Sequence, residues 1–230
     1  MIAPGQVRLG RENRYIHLLI LLVVFFLAFP FVQNIKTEFA LIATLFFLAI
    51  VFTLRAIELK RPIYIACVTM GGVGLVIGFS SFFATVPDLK QILFASSLGM
   101  YALFMSISIV FMIQKMFSTT KVTGDVIRGG ISVYLLLGFL WTLFYVLIYH
   151  FDPKAFFVIH SWHDSFLFYF SFSTLTTLGY GDISPINKVA MVLANLEAIV
   201  GQLYLAIFVA RLVGLHLIHH AYDNEQQGGR

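Results

Sequence analysis

Between two long apolar stretches, residues 173–184 read Ser-Thr-Leu-Thr-Thr-Leu-Gly-Tyr-Gly-Asp-Ile-Ser. An extended strand turns successive carbonyl oxygens to opposite sides, and they align on one side only where alternate residues adopt positive φ. Glycine does this without steric cost, which predicts such positions at Gly179 and Gly181. Aligned carbonyl oxygens, with the Thr177 hydroxyl at the inner end, can replace the water around a cation. Leu178 and Tyr180 are expected to point away from that cation.

The composition is that of a polytopic membrane protein. Of 230 residues, 60% are hydrophobic and 11% are charged, and the mean hydropathy is +0.91. These values exclude an ordinary soluble domain. A span needs about 20 mostly apolar residues, and we predict six spans: Tyr15–Val32, Phe39–Leu54, Pro62–Val86, Gln91–Phe117, Val126–Phe151 and Lys188–Leu217. A shorter apolar segment, Asp164–Thr176, cannot span and predicts a re-entrant helix capped by Asp164.

The net charge of +4 is unevenly distributed along the chain. Of the 15 Lys and Arg residues, the six-span arrangement places only Lys36, Lys90, Lys154 and Lys188 on one side. This asymmetry predicts that both termini are cytoplasmic and that the Tyr180–Asp182 end of the loop faces outward. The compact build favours a prokaryotic plasma membrane. A cleaved signal peptide over residues 1–32 is an alternative, although no small-x-small cleavage site follows.

The segment Thr177-Leu178-Gly179-Tyr180-Gly181 resembles the selectivity filter of potassium channels, in which four such loops line a pore. The order of span, re-entrant helix, filter and span over about residues 126–217 is similar to the pore domain of six-transmembrane potassium channels of the voltage-gated-like superfamily. Because the loop occurs once per chain, the resemblance implies a homotetramer. It also implies an all-α fold of six transmembrane helices with a re-entrant pore helix and filter. K⁺ is then the permeant ion, no cofactor is needed, and the ion is bound by Thr177, Leu178, Gly179 and Tyr180.

The fourth predicted span lacks the charges of a voltage sensor. In voltage-gated relatives this helix carries regularly spaced arginines, because one charge moved through the field is worth ~2.3 kcal/mol per 100 mV. Here the segment from Gln91 to Gln114 contains no Arg or Lys. The resemblance is therefore to bacterial members without voltage-sensor arginines, and intrinsic voltage gating is not expected. The serines of this span are expected to bond between helices and not to line a transport pathway: Ser96, Ser97, Ser106 and Ser108.

We predict five segments along the chain. In order, they are a cytoplasmic N terminus (1–14), a four-helix transmembrane domain (15–117), a polar cytoplasmic linker (118–130), the pore domain (131–217) and a short cytoplasmic tail (218–230). The tail is too short for a domain that binds a nucleotide or calcium. The expected partners are other copies of the chain and membrane lipids, with no nucleic acid and no soluble regulatory domain.

Several residues around the filter are predicted to support it. Many potassium channels have two bracing tryptophans where this chain has Tyr169 and Phe170. Since Phe170 cannot donate a hydrogen bond, the support of Tyr180 must differ in detail. Thr176 belongs to the same set, and four copies of Asp182 at the outer mouth would concentrate cations.

Glu197 is the only acidic residue deep within a predicted span. Such a residue is costly in a membrane and usually has a partner or a task. Three interpretations stay open. It braces the re-entrant helix through Ser171, Ser173 or Thr174, it contacts an ion directly, or it is a neutral carboxyl group that holds a proton.

The last span is predicted to line and gate the pore. Gly201 stands where the inner helix of similar channels has a hinge, and packing against the re-entrant helix is an equal alternative. Helical periodicity selects four pore-lining positions: Gln202, Leu205, Val209 and Val213. Three histidines near the inner mouth suit either pH sensing or plain solvation: His216, His219 and His220.

The sequence favours a potassium-selective channel that is not an enzyme. No catalytic triad, metal-ligand spacing or phosphate loop stands out. Two alternatives stay open, a weakly selective cation channel and a non-conducting membrane subunit with a vestigial filter. The gating stimulus and the role of the first four helices are not predicted.

Overall fold

The computed structural model describes residues 15–28, 43–44, 47–51, 54–55, 59–119, 122–159 and 166–228. Its elements in chain order are α1 (Ile16–Ala28), α2 (Arg61–Phe83), α3 (Pro87–Phe117), α4 (Gly124–Phe151), β1 (Phe156–Val158), α5 (Phe166–Leu175), β2 (Ile183–Pro185) and α6 (Lys188–Gly228). Residues 43–44, 47–51 and 54–55 are also helical. The predicted all-α membrane fold, with a short helix before residues 177–181, is confirmed.

Four described helices are long and apolar enough to cross a membrane: α2, α3, α4 and the Lys188–Leu215 part of α6. α1 has 13 residues, fewer than the ~20 that a span needs. The remainder of the predicted span Tyr15–Val32, and much of Phe39–Leu54, lie outside the described residues. Asp164, the predicted cap of the re-entrant helix, also lies outside them.

Helix boundaries follow local sequence signals. Proline stands in the first turn of both α2 and α3, where its fixed φ favours a helix start. α4 begins after Thr123, whose hydroxyl oxygen accepts a hydrogen bond from the Val126 N–H at 3.4 Å. Residues 124–130, predicted as linker, are therefore helical. The tail predicted over 218–230 continues α6 to Gly228, because no helix-breaking residue interrupts it before that point.

α4 lies at the centre of the described fold and contacts α1, α3, α5 and α6. Two of its glycines permit this, because a methyl group at Gly130 would overlap the Phe208 ring and one at Gly138 would overlap the Phe172 ring. Tyr145, also on α4, is fully buried. The central position of α4 brings α1, α3, α5 and α6 against one element.

The serines of α3 do not bond between helices as predicted. Ser97, Ser106 and Ser108 donate to carbonyl oxygens three or four residues earlier in the same helix. A serine hydroxyl reaches that carbonyl without help from another element, so local bonding competes well with interhelical bonding. This prediction was wrong for these three residues.

β1 and β2 form a two-stranded antiparallel sheet that the sequence did not predict. Phe156 lies opposite Pro185, and Val158 lies opposite Ile183. The Ile186 N–H then donates to the Ala155 carbonyl at 2.7 Å. The sheet ties the segment that follows α4 to the segment that follows residues 177–182.

Candidate functional site

The backbone of the predicted filter is bonded to the end of α5. The Thr177 N–H donates to the Thr174 carbonyl at 3.0 Å, and the Leu178 N–H donates to the Ser173 carbonyl at 2.8 Å. The Gly179 N–H donates to the Ser173 hydroxyl oxygen at 3.2 Å. The carbonyl groups that a helix leaves unpaired at its C terminus are thus used to hold the loop.

Alternate residues of this loop have positive φ. The angles are 60° at Thr177, 57° at Gly179 and 79° at Gly181. A methyl group at either glycine would meet nothing within 4 Å. Glycine is therefore needed at these positions for its backbone conformation and not for close packing. The alternation is the pattern that turns successive carbonyl oxygens to one side.

Thr177 is the only described non-glycine residue with positive φ, and this conformation was not predicted from the sequence. For a β-branched residue this conformation is an outlier that costs about 1–3 kcal/mol. The hydroxyl group of Thr177 donates to the Thr176 carbonyl at 2.7 Å and accepts from the Gln202 amide nitrogen at 3.1 Å. The strained residue therefore has both a local and a distant partner. Thr176 itself turns back and donates to the Phe172 carbonyl at 2.6 Å.

Tyr169 and Phe170, which were predicted to support the filter, make different contacts. The Tyr169 ring stacks on the Tyr180 ring, with centroids 6.3 Å apart and planes 10° apart, and its hydroxyl interacts with the Asp182 carboxylate. Phe170 instead points into the core, edge-on to Tyr145 at 4.9 Å and to Phe156 at 5.3 Å. Tyr169 thus contacts the outer end of the loop, while Phe170 holds α5 against its neighbours.

Glu197 joins three helices. Its side chain is fully buried. One carboxyl oxygen accepts from the Tyr145 hydroxyl at 2.6 Å, and the other lies 2.6 Å from the Ser171 hydroxyl oxygen. Among the three partners considered, the structure places Ser171 on Glu197, whereas Ser173 bonds to the loop. Complete burial separates the carboxyl group from any water-filled path.

The contacts of Ser171 indicate where a proton resides. Its hydroxyl oxygen also lies 2.8 Å from the Gly138 carbonyl, which can only accept. Ser171 has one hydroxyl hydrogen, so both contacts are hydrogen bonds only if Glu197 carries a proton and donates to Ser171. This arrangement also avoids an unpaired charge in an apolar surrounding.

Gly201 packs directly on the end of α5. A methyl group at Gly201 would overlap the Leu175 carbonyl oxygen and would lie 3.0 Å from the Leu175 side-chain carbon Cδ1. The overlapped oxygen belongs to the backbone of a fully buried residue, so the overlap could be relieved only by a shift of α5 or α6. Of the two roles considered for Gly201, the structure therefore displays packing, and α6 runs through this position as one helix.

The four predicted pore-lining residues of α6 are all exposed in the single chain. Asn195, which the sequence reading missed, is exposed as well. It precedes Gln202 by seven residues, which is two helical turns, so the two amides share a face. Their spacing was the signal that could have identified Asn195. The side chains of His216, His219 and His220 lie outside what the structure describes.

Arg211 is a second residue whose role the sequence reading missed. One of its guanidinium nitrogens, Nη2, lies 3.1, 2.6 and 2.8 Å from the carbonyl oxygens of Met116, Phe117 and Thr119. The guanidinium carbon lies 4.5 Å from the Phe117 ring centroid. Arg211 therefore caps the C-terminal end of α3, where a positive charge is favoured. An arginine within an otherwise apolar stretch was the signal available.

Comparison with protein families identifies the region that holds these residues. Residues 131–215 match a family model described as an ion channel. No match was found among curated proteins or among solved structures. The matched region contains α5, the loop, β2 and most of α4 and α6, and the match supports an ion-channel function for this multi-pass membrane protein.

Proposed function

We propose that this protein is a potassium-selective channel that assembles as a homotetramer and conducts K⁺ passively. The observation that carries the proposal is the alternation of positive φ at Thr177, Gly179 and Gly181. Four such loops around an axis would surround a K⁺ ion with the carbonyl oxygens of residues 177–180 and the Thr177 hydroxyl. The ring of Asp182 carboxylates would attract cations to the outer end.

The exposed surfaces support a tetramer. Leu178 and Tyr180 are 60% and 69% exposed in the single chain, although both are suited to packing against neighbours. In the most apolar window of α6 only 11% of residues are buried, against 56% for α4. The exposed face of α6 also carries Asn195 and Gln202, which would be costly against lipid. Further copies and a water-filled pore would cover these groups.

The proposal also covers the voltage dependence of the channel and its orientation in the membrane. The fourth helix of the six-transmembrane arrangement is α3, and without Lys or Arg in its interior it supplies no gating charge. Opening should therefore depend little on membrane potential. We also propose a prokaryotic plasma membrane location, with both termini cytoplasmic and the Asp182 end outside.

Ion flux into liposomes tests the proposal. Purified protein is reconstituted with a K⁺ gradient in one series and a Na⁺ gradient in another. We expect K⁺ flux that a pore-blocking cation stops and that Gly179→Ala abolishes, because alanine resists a φ of 57°. Gly99→Ala, in a helix where a methyl group meets nothing within 4 Å, is the matched control. Equal K⁺ and Na⁺ flux would favour the weakly selective channel, and the absence of flux for both ions would favour the non-conducting subunit.

A further inference from the structure

Gln202 reaches from the inner helix to the inner end of the filter. Its amide nitrogen lies 3.1 Å from the Thr177 hydroxyl oxygen, across 25 residues of sequence. The residue before it, Gly201, is packed against the Leu175 carbonyl at the end of α5. That packing fixes the height of Gln202 relative to the filter, so its reach to Thr177 follows from the docking of α6 on α5.

The direction of this hydrogen bond follows from the other partner of Thr177. The Thr177 hydroxyl lies 2.7 Å from the Thr176 carbonyl oxygen, which can only accept, so the single hydroxyl hydrogen is donated there. The oxygen of Thr177 is then an acceptor towards Gln202, and the amide must present its N–H group. One lone pair of the Thr177 oxygen remains for an ion.

From this geometry we propose that Gln202 is a positioning residue for ion selectivity at the inner end of the filter. Four Gln202 side chains would form a ring around the axis and fix the orientation of the four Thr177 hydroxyl groups. The inference deepens the proposed function and rests on it. The ligand is a monovalent cation about the size of K⁺, which must shed water at this point.

The orientation of the hydroxyl group matters because Thr177 is strained. Without a second partner, a side chain on a backbone with φ of 60° can relax to other rotamers and carry its oxygen away from the axis. A mobile oxygen can also follow a smaller ion inward. Loss of the Gln202 donor should therefore weaken K⁺ binding and reduce the preference for K⁺ over Na⁺.

The test compares Gln202→Met with Leu203→Met. Methionine has nearly the length of glutamine but no N–H group, and the control places the same side chain at the next position, which is 55% exposed. K⁺ binding to purified tetramers is measured by calorimetry, which does not require an open gate, and the K⁺ to Na⁺ permeability ratio is measured in liposomes. Since one hydrogen bond has a net worth of about 1 kcal/mol, we expect roughly fivefold weaker K⁺ binding and a lower ratio in Gln202→Met alone.

A double-mutant cycle with Thr177→Val shows whether Gln202 acts through the hydroxyl group. Valine keeps the shape of threonine and removes the oxygen. We expect Gln202→Met to have no further effect on K⁺ binding in that background. The inference would be overturned if Gln202→Met left K⁺ binding and the permeability ratio unchanged. It would also be overturned if Gln202→Met weakened K⁺ binding equally with and without the Thr177 hydroxyl group. If Thr177→Val does not fold, the comparison of Gln202→Met with Leu203→Met tests the inference on its own. A wild-type protein that neither binds nor conducts K⁺ would instead defeat the proposed function.

Discussion

Two parts of the chain satisfy their polar side chains in different ways. In the leading half, residues 15–117, most described hydroxyl groups donate within their own helix: Thr69, Ser80, Ser81, Ser97, Ser106 and Ser108. Tyr101 is an exception, since it donates to the Ala43 carbonyl. In the pore half, residues 124–215, Ser132 and Thr142 also donate within their own helix. Several other polar side chains there bond to a different element: Tyr145, Ser171, Gln202, Tyr204 and Arg211.

The difference shows in which half of the chain hydrogen bonds fix the helices and strands relative to one another. A hydroxyl bonded within its own helix places no condition on the neighbouring helix, so the leading half depends mainly on apolar packing. A bond between elements holds only if both are correctly placed. Because bonds between elements are lost when either element moves, we expect substitutions in the pore half to cost more than matched substitutions in the leading half.

Gly201→Ala should have the largest effect. The added methyl group would overlap a backbone carbonyl that is itself part of the α5 end, so α6 would have to move. Overpacking of this kind costs about 1–3 kcal/mol and occasionally more. We expect a large fall in melting temperature and loss of K⁺ flux. Gly99→Ala, in open surroundings on α3, should be neutral or slightly stabilising, because alanine favours a helix. Equal melting temperatures for the two variants would remove the distinction between the halves.

Glu197→Ala should be nearly as damaging. It leaves the buried Tyr145 hydroxyl without its acceptor, for a cost of about 1–3 kcal/mol. Glu197→Gln should be much milder, since an amide can donate to Ser171 and accept from Tyr145 as a protonated carboxyl group does. Chemical denaturation of the purified protein measures both. Glutamine as harmful as alanine would show that Glu197 is charged, contrary to the proton placement derived from Ser171.

A serine pair compares the two halves most closely. Ser171 and Ser108 are both fully buried, but Ser171 lies between Glu197 and Gly138 while Ser108 donates only to Phe104 of its own helix. We expect Ser171→Ala to cost about 1–3 kcal/mol, because it leaves buried polar groups unsatisfied. Ser108→Ala should cost well under half of that. The result that would contradict the comparison is a Ser108→Ala variant at least as unstable as Ser171→Ala.

Arg211→Gln tests the contact between the halves. Arg211 bonds to carbonyl groups at the end of α3, and its loss should cost about 1–2 kcal/mol through the lost hydrogen bonds and the helix dipole. Lys115→Gln removes a charge from the same helix end and serves as the control. Hydrogen exchange at residues 114–119 should increase in Arg211→Gln and much less in Lys115→Gln. Equal exchange in the two would mean that only net charge matters there.

Much of the fold could be predicted from the sequence, because long apolar runs and the Gly-Tyr-Gly spacing act locally. The all-α fold, the short helix before the loop and positive φ at Gly179 and Gly181 follow from such signals. The strained Thr177, the β1–β2 pairing and the contacts of Arg211 did not, since each depends on which distant segments meet. The hydrogen bonds of the α3 serines were predicted wrongly. A serine hydroxyl group can bond within its own helix or to another helix, and the sequence does not distinguish the two.

The central claim is that four copies of residues 177–181 form a potassium-selective filter. The most direct test is the reversal potential of the reconstituted wild-type protein in a planar bilayer with K⁺ on one side and Na⁺ on the other. Our account predicts a reversal potential far from zero, with the sign set by K⁺, and a current without steep dependence on voltage. A reversal potential near zero would contradict it, because the pore would then pass both ions alike.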